Sequence, residues 1–316
     1  MTTVGVDLGG TNISTVVLDG ERVIGRSRLK TPTGGDRTGV TDVMAAAVHD
    51  ALDDAGVTRD DLDVVGVGSP GVVIDGTVGG AANVPDFQER FSLADLLESD
   101  LRVPVRVSND VTAAAVGEHR LGAGRGCDAL LCVFVGTGVG GGLVLGGQPW
   151  EGRGGAGEFG HTIVRQGGAV CPCGRRGCVE AYAGRRAMAL AAERARAAGR
   201  ATVLFDVMAE KGKTTPSAGV FAEALARGDE LVADLLDDAV SALGAGIASA
   251  VNLLDIDLVV LGGGVGDRLG DDFRTRVEAA ARPLLFLQPP RVRVVAAELG
   301  DDGGAIGAAL LARGAG

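Results

Sequence analysis

Short runs of apolar, often β-branched residues alternate along the chain with longer segments whose apolar residues recur at helical spacing. Strands alternating with helices are typical of an α/β protein, which is the fold class that the pattern predicts. For the first part of the chain it predicts a helix over Val43–Ala55 that ends at Gly56. Strands are expected at Val4–Leu8, Ile13–Leu18, Val64–Gly68 and Val103–Val107.

The second half of the chain repeats the arrangement with which the first half opens. A strand, a glycine-rich turn and a returning strand are predicted at Leu130–Val135, Gly136–Gly142 and Leu143–Leu145. A long helix, another strand and a third glycine tip follow at Asp229–Leu253, Leu258–Leu261 and Gly262–Gly264. We therefore expect two related α/β halves, with the ligand bound in a cleft between them.

The amino-acid composition indicates a folded globular protein and bears on its partners. Hydrophobic residues make up 46% and charged residues 22% of the 316 residues, as in a folded globular chain. Acidic residues outnumber basic ones by 41 to 30, and no stripe of Lys or Arg is present, which argues against nucleic acid or membrane as a partner. No signal peptide is found, and no uninterrupted apolar run is long enough for a transmembrane helix, so we expect a cytoplasmic protein.

Both glycine-rich hairpin tips are candidate phosphate sites. Asp7 leads into the first tip, Gly9-Gly10-Thr11-Asn12, and the second contains Gly136-Thr137-Gly138. Glycines with positive φ can expose successive N–H groups to phosphate oxygens, and Asp7 could hold a metal-bound water. An ordinary tight turn explains one such tip equally well, but two tips in matching positions favour a phosphate-binding function.

Asp110 follows a predicted strand and opens a predicted helix over Val111–His119. An acid at this position is expected by default to be the N-cap of the helix, whose dipole keeps the carboxylate ionised. An ionised carboxylate is also adequate as the base in phosphoryl transfer, because a loose transition state releases the proton late. Asp110 can therefore serve as both cap and catalyst.

Four potential metal ligands lie close together in the sequence, namely His161, Cys171, Cys173 and Cys178. Three thiolates and one imidazole complete a tetrahedral structural zinc site, which would hold Glu158, His161 and Glu180 in place. Free or disulfide-forming thiols are the alternative. Of the other cysteines, Cys132 is expected in the core and Cys127 in a loop.

The sequence resembles the ROK family of sugar kinases and sugar-responsive repressors over nearly its whole length. The resemblance is carried by these motifs, in the family's order: Asp7-Leu8-Gly9-Gly10-Thr11-Asn12, Gly68-Ser69-Pro70-Gly71, Asn83-Val84-Pro85, Asn109-Asp110, Gly136-Thr137-Gly138, Glu158-Phe159-Gly160-His161 and the cysteine cluster ending in Glu180. It implies the actin-like ATPase fold, with two RNase H-like domains around a cleft. We expect the domains at 1–115 and 116–299, with a helix within about 300–316 returning to the first.

The resemblance also implies roles for individual residues. Asp110 is the expected general base on the sugar 6-hydroxyl, and Asp7 is expected near Mg²⁺. Ligands of the sugar hydroxyls would be Asn83, Asn109, Asp110, Glu158, His161 and Glu180. ATP would be held by Asp7, Gly9, Gly10, Thr11, Asn12, Gly136, Thr137, Gly138, Gly263 and Gly264.

The expected activity is that of an ATP-dependent hexose kinase that forms glucose 6-phosphate, assembled as a homodimer or homotetramer. An N-acetylglucosamine, N-acetylmannosamine or fructose kinase fits the same motifs. A repressor would need an N-terminal DNA-binding segment, but the first strand already begins at Val4. A non-catalytic sugar-binding protein is disfavoured because Asp110 and both tips are intact. The hexose and the phosphoryl donor (ATP, ADP or polyphosphate) stay open.

Overall fold

The computed structural model describes residues 1–81 and 84–314, so the predicted sugar ligand Asn83 lies outside the described residues. The described strands are β1 (Thr2–Leu8), β2 (Asn12–Asp19), β3 (Arg22–Lys30), β4 (Leu62–Ser69), β5 (Val72–Ile74), β6 (Thr77–Gly79), β7 (Phe91–Ser92), β8 (Val105–Asn109), β9 (Ala129–Val135), β10 (Val139–Leu145), β11 (Gln148–Pro149), β12 (Leu258–Gly262) and β13 (Arg293–Ala296). The described α-helices are α1 (Arg37–Ala55), α2 (Leu93–Leu101), α3 (Asp110–Leu121), α4 (Glu180–Ala183), α5 (Arg185–Ala197), α6 (Leu204–Glu210), α7 (Ala218–Ala226), α8 (Glu230–Leu254), α9 (Gly263–Ala281) and α10 (Gly303–Ala312).

The two large sheets have the same strand order, which confirms that the halves of the chain are related. One sheet runs β3-β2-β1-β4-β8 and the other β11-β10-β9-β12-β13. In the first, β1 and β2 form the predicted antiparallel hairpin with Leu8 opposite Ile13, while β4 and β8 add in parallel. In the second, β12 lies parallel between β9 and β13. The carboxyl ends of the parallel strands therefore carry the glycine tips and Asp110.

Three predicted boundaries are corrected by the structure. Helix α1 begins at Arg37 rather than Val43, because Asp36 caps it by accepting a hydrogen bond from the Gly39 N–H. Strand β10 begins at Val139, so the second tip is only Gly136–Gly138. The predicted third tip is instead a direct passage from β12 into α9, which starts at Gly263.

The chain forms two compact units. Unit 1 comprises Met1–Asp128, Gly142–Gly157 and Glu298–Gly316, and unit 2 comprises Ala129–Gly141 and Glu158–Ala297. The expected boundary after residue 115 falls inside the continuous helix α3, and residues 116–128 and 142–157 belong to unit 1. Local strand and helix patterns carry no signal for such a division, because it depends on contacts between distant segments.

In unit 1 the C-terminal helix α10 packs directly on the first sheet, where two glycines allow close approach. A Cβ at Gly5 on β1 would lie 1.8 Å from the Ala305 carbonyl oxygen, and one at Gly66 on β4 would lie 1.9 Å from that of Ala308. Both distances are far shorter than van der Waals contact. The backbone of α10 therefore packs against β1, which contains Asp7 and ends at Leu8, and against β4, which ends at Ser69.

A buried carboxylate in unit 1 fastens two loops. The side chain of Glu118 on α3 is 1% exposed and accepts hydrogen bonds from the backbone N–H groups of Ala123 (3.0 Å), Glu298 (3.0 Å) and Leu299 (2.9 Å). A buried charge is tolerated only when hydrogen-bonded in this way. The chain passes between the units four times, and Glu118 binds backbone on the unit 1 side of the first passage, after Asp128, and of the last, before Glu298.

None of the helices in the part of the chain described by the structure is long and apolar enough to cross a membrane.

Candidate active site

Two carboxylates of unit 1 face one another across strand β4. Asp7 lies near the end of β1, and Asp110 starts α3. A Cβ at Gly68 between them would lie 3.3 Å from the Asp110 Cα and 3.8 Å from Asp7 Oδ1. Burial, reinforced by the negative charge of Asp110, raises the pKa of Asp7 to about 7. A cation bound here would favour the ionised form of Asp7. The pair therefore forms a place where positive charge is electrostatically favourable.

Asn109, not Asp110, is the N-cap of α3. Asn109 has extended backbone angles (φ −67°, ψ 141°), and its side-chain oxygen accepts from the N–H groups of Val111 (3.0 Å) and Thr112 (3.1 Å). Its amide also donates to the Gly71 carbonyl at 3.2 Å. The prediction of an Asp110 cap is wrong by one residue because strand β8 runs through Asn109. Asp110 is the first helical residue, and the helix dipole favours its ionised form.

The first glycine tip is a tight, exposed turn between β1 and β2. Gly9 donates its N–H to the Asn12 carbonyl at 3.0 Å, and the Thr31 hydroxyl donates to the Gly9 carbonyl at 2.6 Å. Thr11 at its end is exposed, whereas the Asn12 amide oxygen accepts from Lys30 Nζ at 2.8 Å. The tip is thus held from its base and leaves the Thr11 hydroxyl accessible.

The expectation of positive φ at the tip glycines is wrong at both tips. Neither Gly9 and Gly10 nor Gly136 and Gly138 has positive φ. Close approach is the reason for glycine instead, since a Cβ at Gly9 would lie 2.9 Å from the Asn12 carbonyl oxygen. Sequence alone cannot distinguish these two uses of glycine.

Glu180 fixes the second tip in unit 2. Its Oε2 accepts a hydrogen bond from the Val139 N–H at 2.9 Å, and a Cβ at Gly138 would lie only 2.2 Å from the same oxygen. Within the tip, the Gly136 N–H donates to the Gly138 carbonyl at 2.9 Å, and Thr137 is exposed. The tip therefore has its shape because a carboxylate occupies the space beside Gly138.

The four predicted metal ligands come together in unit 2. One ligand atom from each of His161, Cys171, Cys173 and Cys178 lies within 4.8 Å of the others. The Sγ atoms of Cys173 and Cys178 are 3.8 Å apart, and Cys171 Sγ is 3.7 Å from His161 Nδ1. Ligands of a tetrahedral zinc lie about 3.6–3.8 Å apart when Zn–S bonds are about 2.3 Å. The donor set and its spacing therefore fit zinc.

The cysteine loop doubles back because Gly174 and Gly177 adopt positive φ (86° and 84°), which glycine accommodates without strain. Burial raises the pKa of the Cys171 thiol to about 12, so a bound cation would have to displace its proton. Glu180 Oε1 is 3.8 Å from Cys171 Sγ. The same carboxylate thus contacts the thiol cluster and the second tip.

The remaining predicted residues occupy distinct places. Glu158 is exposed and precedes a short 3₁₀ helix over Phe159–His161. Gly263 opens α9 with φ 85°, and a Cβ there would lie 2.8 Å from the Val135 backbone, while Gly264 is exposed. Cys132 is buried in β9, and Cys127 is a partly buried loop residue, both as predicted.

One residue beside the second tip was missed by sequence reasoning. Arg185 Nη2 donates to the Thr137 hydroxyl oxygen at 2.9 Å. The sequence feature that could have indicated Arg185 is the pair Arg185-Arg186 at the start of a helix, where cations are electrostatically unfavourable.

Nearly the whole chain is similar to one family of known proteins, since residues 3–315 match the ROK family. The chain belongs to the ROK family. It is 35% identical to the glucokinase of Streptomyces coelicolor, covering 98% of this chain and 97% of that protein. It is 33% identical to an N-acetylmannosamine kinase of Yersinia pestis, covering 98% and 97%.

The fold of this chain is also similar to that of a solved ROK family structure. A ROK glucokinase from Streptomyces griseus, in complex with glucose and AMPPNP, superposes with a TM-score of 0.82 at 35% identity and covers 100% of both chains. This ROK protein therefore has the actin-like ATPase fold that the motifs imply.

The contact between Gly138 and Glu180 gives a stability prediction. We expect Gly138→Ala to lower the free energy of unfolding by about 1–2 kcal/mol, because the methyl group displaces Glu180 and leaves the Val139 N–H without its acceptor. Gly136→Ala is the matched control, since a Cβ there meets nothing within 4 Å and should change stability by less than about 0.5 kcal/mol. Urea denaturation of both variants measures the difference. Equal stability of the two would contradict the assigned contact.

Proposed function

We propose that this ROK protein is a hexose kinase that transfers the γ-phosphate of ATP to the 6-hydroxyl of glucose. The observation that carries the proposal is the arrangement of Asp110 at the start of α3 with Asp7 beside it, in a chain that matches a glucose- and AMPPNP-bound glucokinase along its full length. Its expected partners are thus a small sugar and a nucleotide.

Asp110 is the proposed general base. In phosphoryl transfer through a loose transition state, the base has only to orient the attacking hydroxyl and accept its proton late. A carboxylate held ionised at a helix N-terminus meets this requirement. Asn109 fixes the helix start and thereby the direction of the Asp110 side chain.

The proposed sugar ligands offer acceptors and donors that suit hydroxyl groups. Glu158 and Glu180 provide carboxylate oxygens, and the Asn83 amide provides both functions. The Asn109 oxygen already caps α3, so Asn109 would contribute the second N–H of its amide. His161 directs Nδ1 towards the thiol cluster, so Nε2 carries the proton when Nδ1 binds a metal and can donate to a sugar oxygen.

The nucleotide phosphates are assigned to the two tips. The Thr11 and Thr137 hydroxyls are exposed donors, and the glycines Gly9, Gly10, Gly136 and Gly138 permit close approach of the backbone to phosphate. Asn12 supports the first tip, and Gly263 and Gly264 are assigned to the adenosine side. Mg²⁺ would supply charge neutralisation of the phosphates next to Asp7, whose carboxylate is favoured in its ionised form by such a cation.

The proposed zinc is structural. All four positions of a tetrahedral site are supplied by protein, which leaves none for substrate. Its task would be to hold His161 and the segment leading to Glu180. Thiolate ligands of this kind fit a reducing compartment, and we place the protein in the cytoplasm as a homodimer or homotetramer.

N-acetylmannosamine kinase is the second candidate, favoured by the 33% identity to the Yersinia pestis enzyme. The two substrates differ at carbon 2, where glucose has a hydroxyl and the other sugar a bulkier acetamido group. A site that hydrogen-bonds a substrate hydroxyl rejects analogues that leave buried groups unpaired, by up to ~10⁴-fold or more.

A panel of sugars decides between these candidates. We expect kcat/KM to be highest for glucose when glucose, N-acetylmannosamine, N-acetylglucosamine and fructose are each assayed with ATP, ADP and polyphosphate. Glu180→Gln should strongly weaken the use of glucose, because a carboxylate acceptor is lost. A higher kcat/KM for an N-acetylhexosamine would make the second candidate correct.

Replacing the general base gives a kinetic prediction. Asp110→Asn should lower kcat by about 10²–10⁴-fold, because the amide cannot accept the hydroxyl proton. Glucose affinity, measured by calorimetry, and melting temperature should change little, since Asn109 still caps the helix. Turnover close to that of the wild type would refute the assignment of Asp110.

Elemental analysis tests the zinc assignment. Purified protein should contain one zinc per chain, and Cys173→Ser should lose the metal, melt at a lower temperature and turn over more slowly. Cys127→Ser, outside the cluster, should keep its zinc. Active wild-type enzyme without zinc would contradict this role for the cluster.

A further inference from the structure

Arg185 is bound to the second tip through both its side chain and its backbone. Its Nη2 donates to Thr137 Oγ1 at 2.9 Å, and its backbone N–H donates to the Gly136 carbonyl at 3.1 Å. Through Nη1 it also donates to the Pro216 carbonyl at 3.0 Å. The guanidinium is thereby held between the tip and the segment that precedes α7.

The direction of the hydrogen bond to Thr137 is fixed by chemistry. A guanidinium is always protonated in proteins and has only donors, so Thr137 Oγ1 must be the acceptor. A threonine hydroxyl has a single proton, which then has to point away from Arg185. Because Thr137 is exposed, that proton is directed to an acceptor outside the protein.

The charges around α5 favour an anionic acceptor. Arg185 and Arg186 occupy the first turn of α5, where the helix dipole disfavours cations. The N–H groups of both arginines already donate to the carbonyls of Gly136 and Thr137. An anion at Thr137 would therefore meet the Arg185 side chain and the Thr137 hydroxyl, not the helix end itself.

We propose that Arg185 is a positioning residue that turns Thr137 into an obligatory hydrogen-bond donor towards the terminal phosphates of a nucleoside triphosphate. The proposal rests on the proposed function, in which the second tip binds those phosphates. Phosphate oxygens at neutral pH are acceptors, so a hydroxyl fixed as donor recognises them without first reorienting. A neutral residue at 185 would leave the Thr137 proton free to point inward.

A double-mutant cycle on Arg185 and Thr137 tests this role. Arg185→Met and Thr137→Val should each weaken the binding of Mg·ATP, measured by calorimetry, by about tenfold to a hundredfold, as for a lost hydrogen bond to a charged group. In the double variant the second substitution should add less than about threefold, because both remove the same interaction. Thr137→Ser should bind nearly as the wild type, and Arg185→Lys should retain part of the affinity.

Arg186→Met is the matched control. Arg186 is exposed and is the next residue after Arg185, so this substitution removes the same charge from the same turn of α5. It should leave Mg·ATP binding within about twofold. The KM for glucose should also stay within about twofold in the Arg185 and Thr137 variants. If Arg185→Met fails to fold, as judged by its melting temperature, the Mg·ATP affinities of Thr137→Val, Thr137→Ser and Arg185→Lys still test the proposed role of Arg185.

The outcomes separate this inference from the proposed function. If wild-type protein phosphorylates a hexose with ATP but the two single effects multiply in the double variant, Arg185 does not act through Thr137 and the inference is wrong. Equal losses in Arg185→Met and Arg186→Met would also overturn it, in favour of a general charge effect. A wild type that binds Mg·ATP and shows the coupling, yet phosphorylates none of the sugars, would retain the inference and refute the proposed kinase activity.

Discussion

The arrangement of unit 2 depends on where the Glu180 carboxylate lies. One oxygen accepts the Val139 N–H, and the other contacts Cys171 of the thiol cluster. The cysteine loop, the start of α4 and the turn between β9 and β10 therefore share one side chain. The cysteine cluster and the second tip are therefore linked through this carboxylate, and only glycine at 138 leaves room for it.

Unit 1 uses a buried carboxylate for a related purpose. Glu118 accepts hydrogen bonds from three backbone N–H groups, in the segments next to the first and the last passage of the chain between the units. These amide dipoles satisfy its buried carboxylate and hold both segments in one arrangement. The glycine contacts of α10 with β1 and β4 pack this helix against the strand that carries Asp7, and a Cβ at Gly304 would lie 2.7 Å from the Asp7 carboxylate.

Electrostatics explains how an acidic chain with a net charge of −11 can handle an anionic nucleotide. Burial, reinforced by the negative charge of Asp110, raises the pKa of Asp7, so that a cation would be electrostatically favoured beside this carboxylate. At the second tip a positive charge is supplied by the protein itself, through Arg185.

The sequence by itself determined the α/β class, the two related halves and the cluster of one His and three Cys residues, because each is recorded locally as a strand run, a glycine turn or a Cys and His spacing. The Asn109 cap was missed by one residue, since a strand and the helix that follows it compete for the same position. The reason for glycine at 138, the division into units and the role of Arg185 were decided only by tertiary structure. Each depends on residues far apart in sequence, such as Gly138 with Glu180 and Thr137 with Arg185, whose proximity no local pattern encodes. Hydrogen-bond direction and close approach are properties of such pairs, and they exist only once the chain has folded.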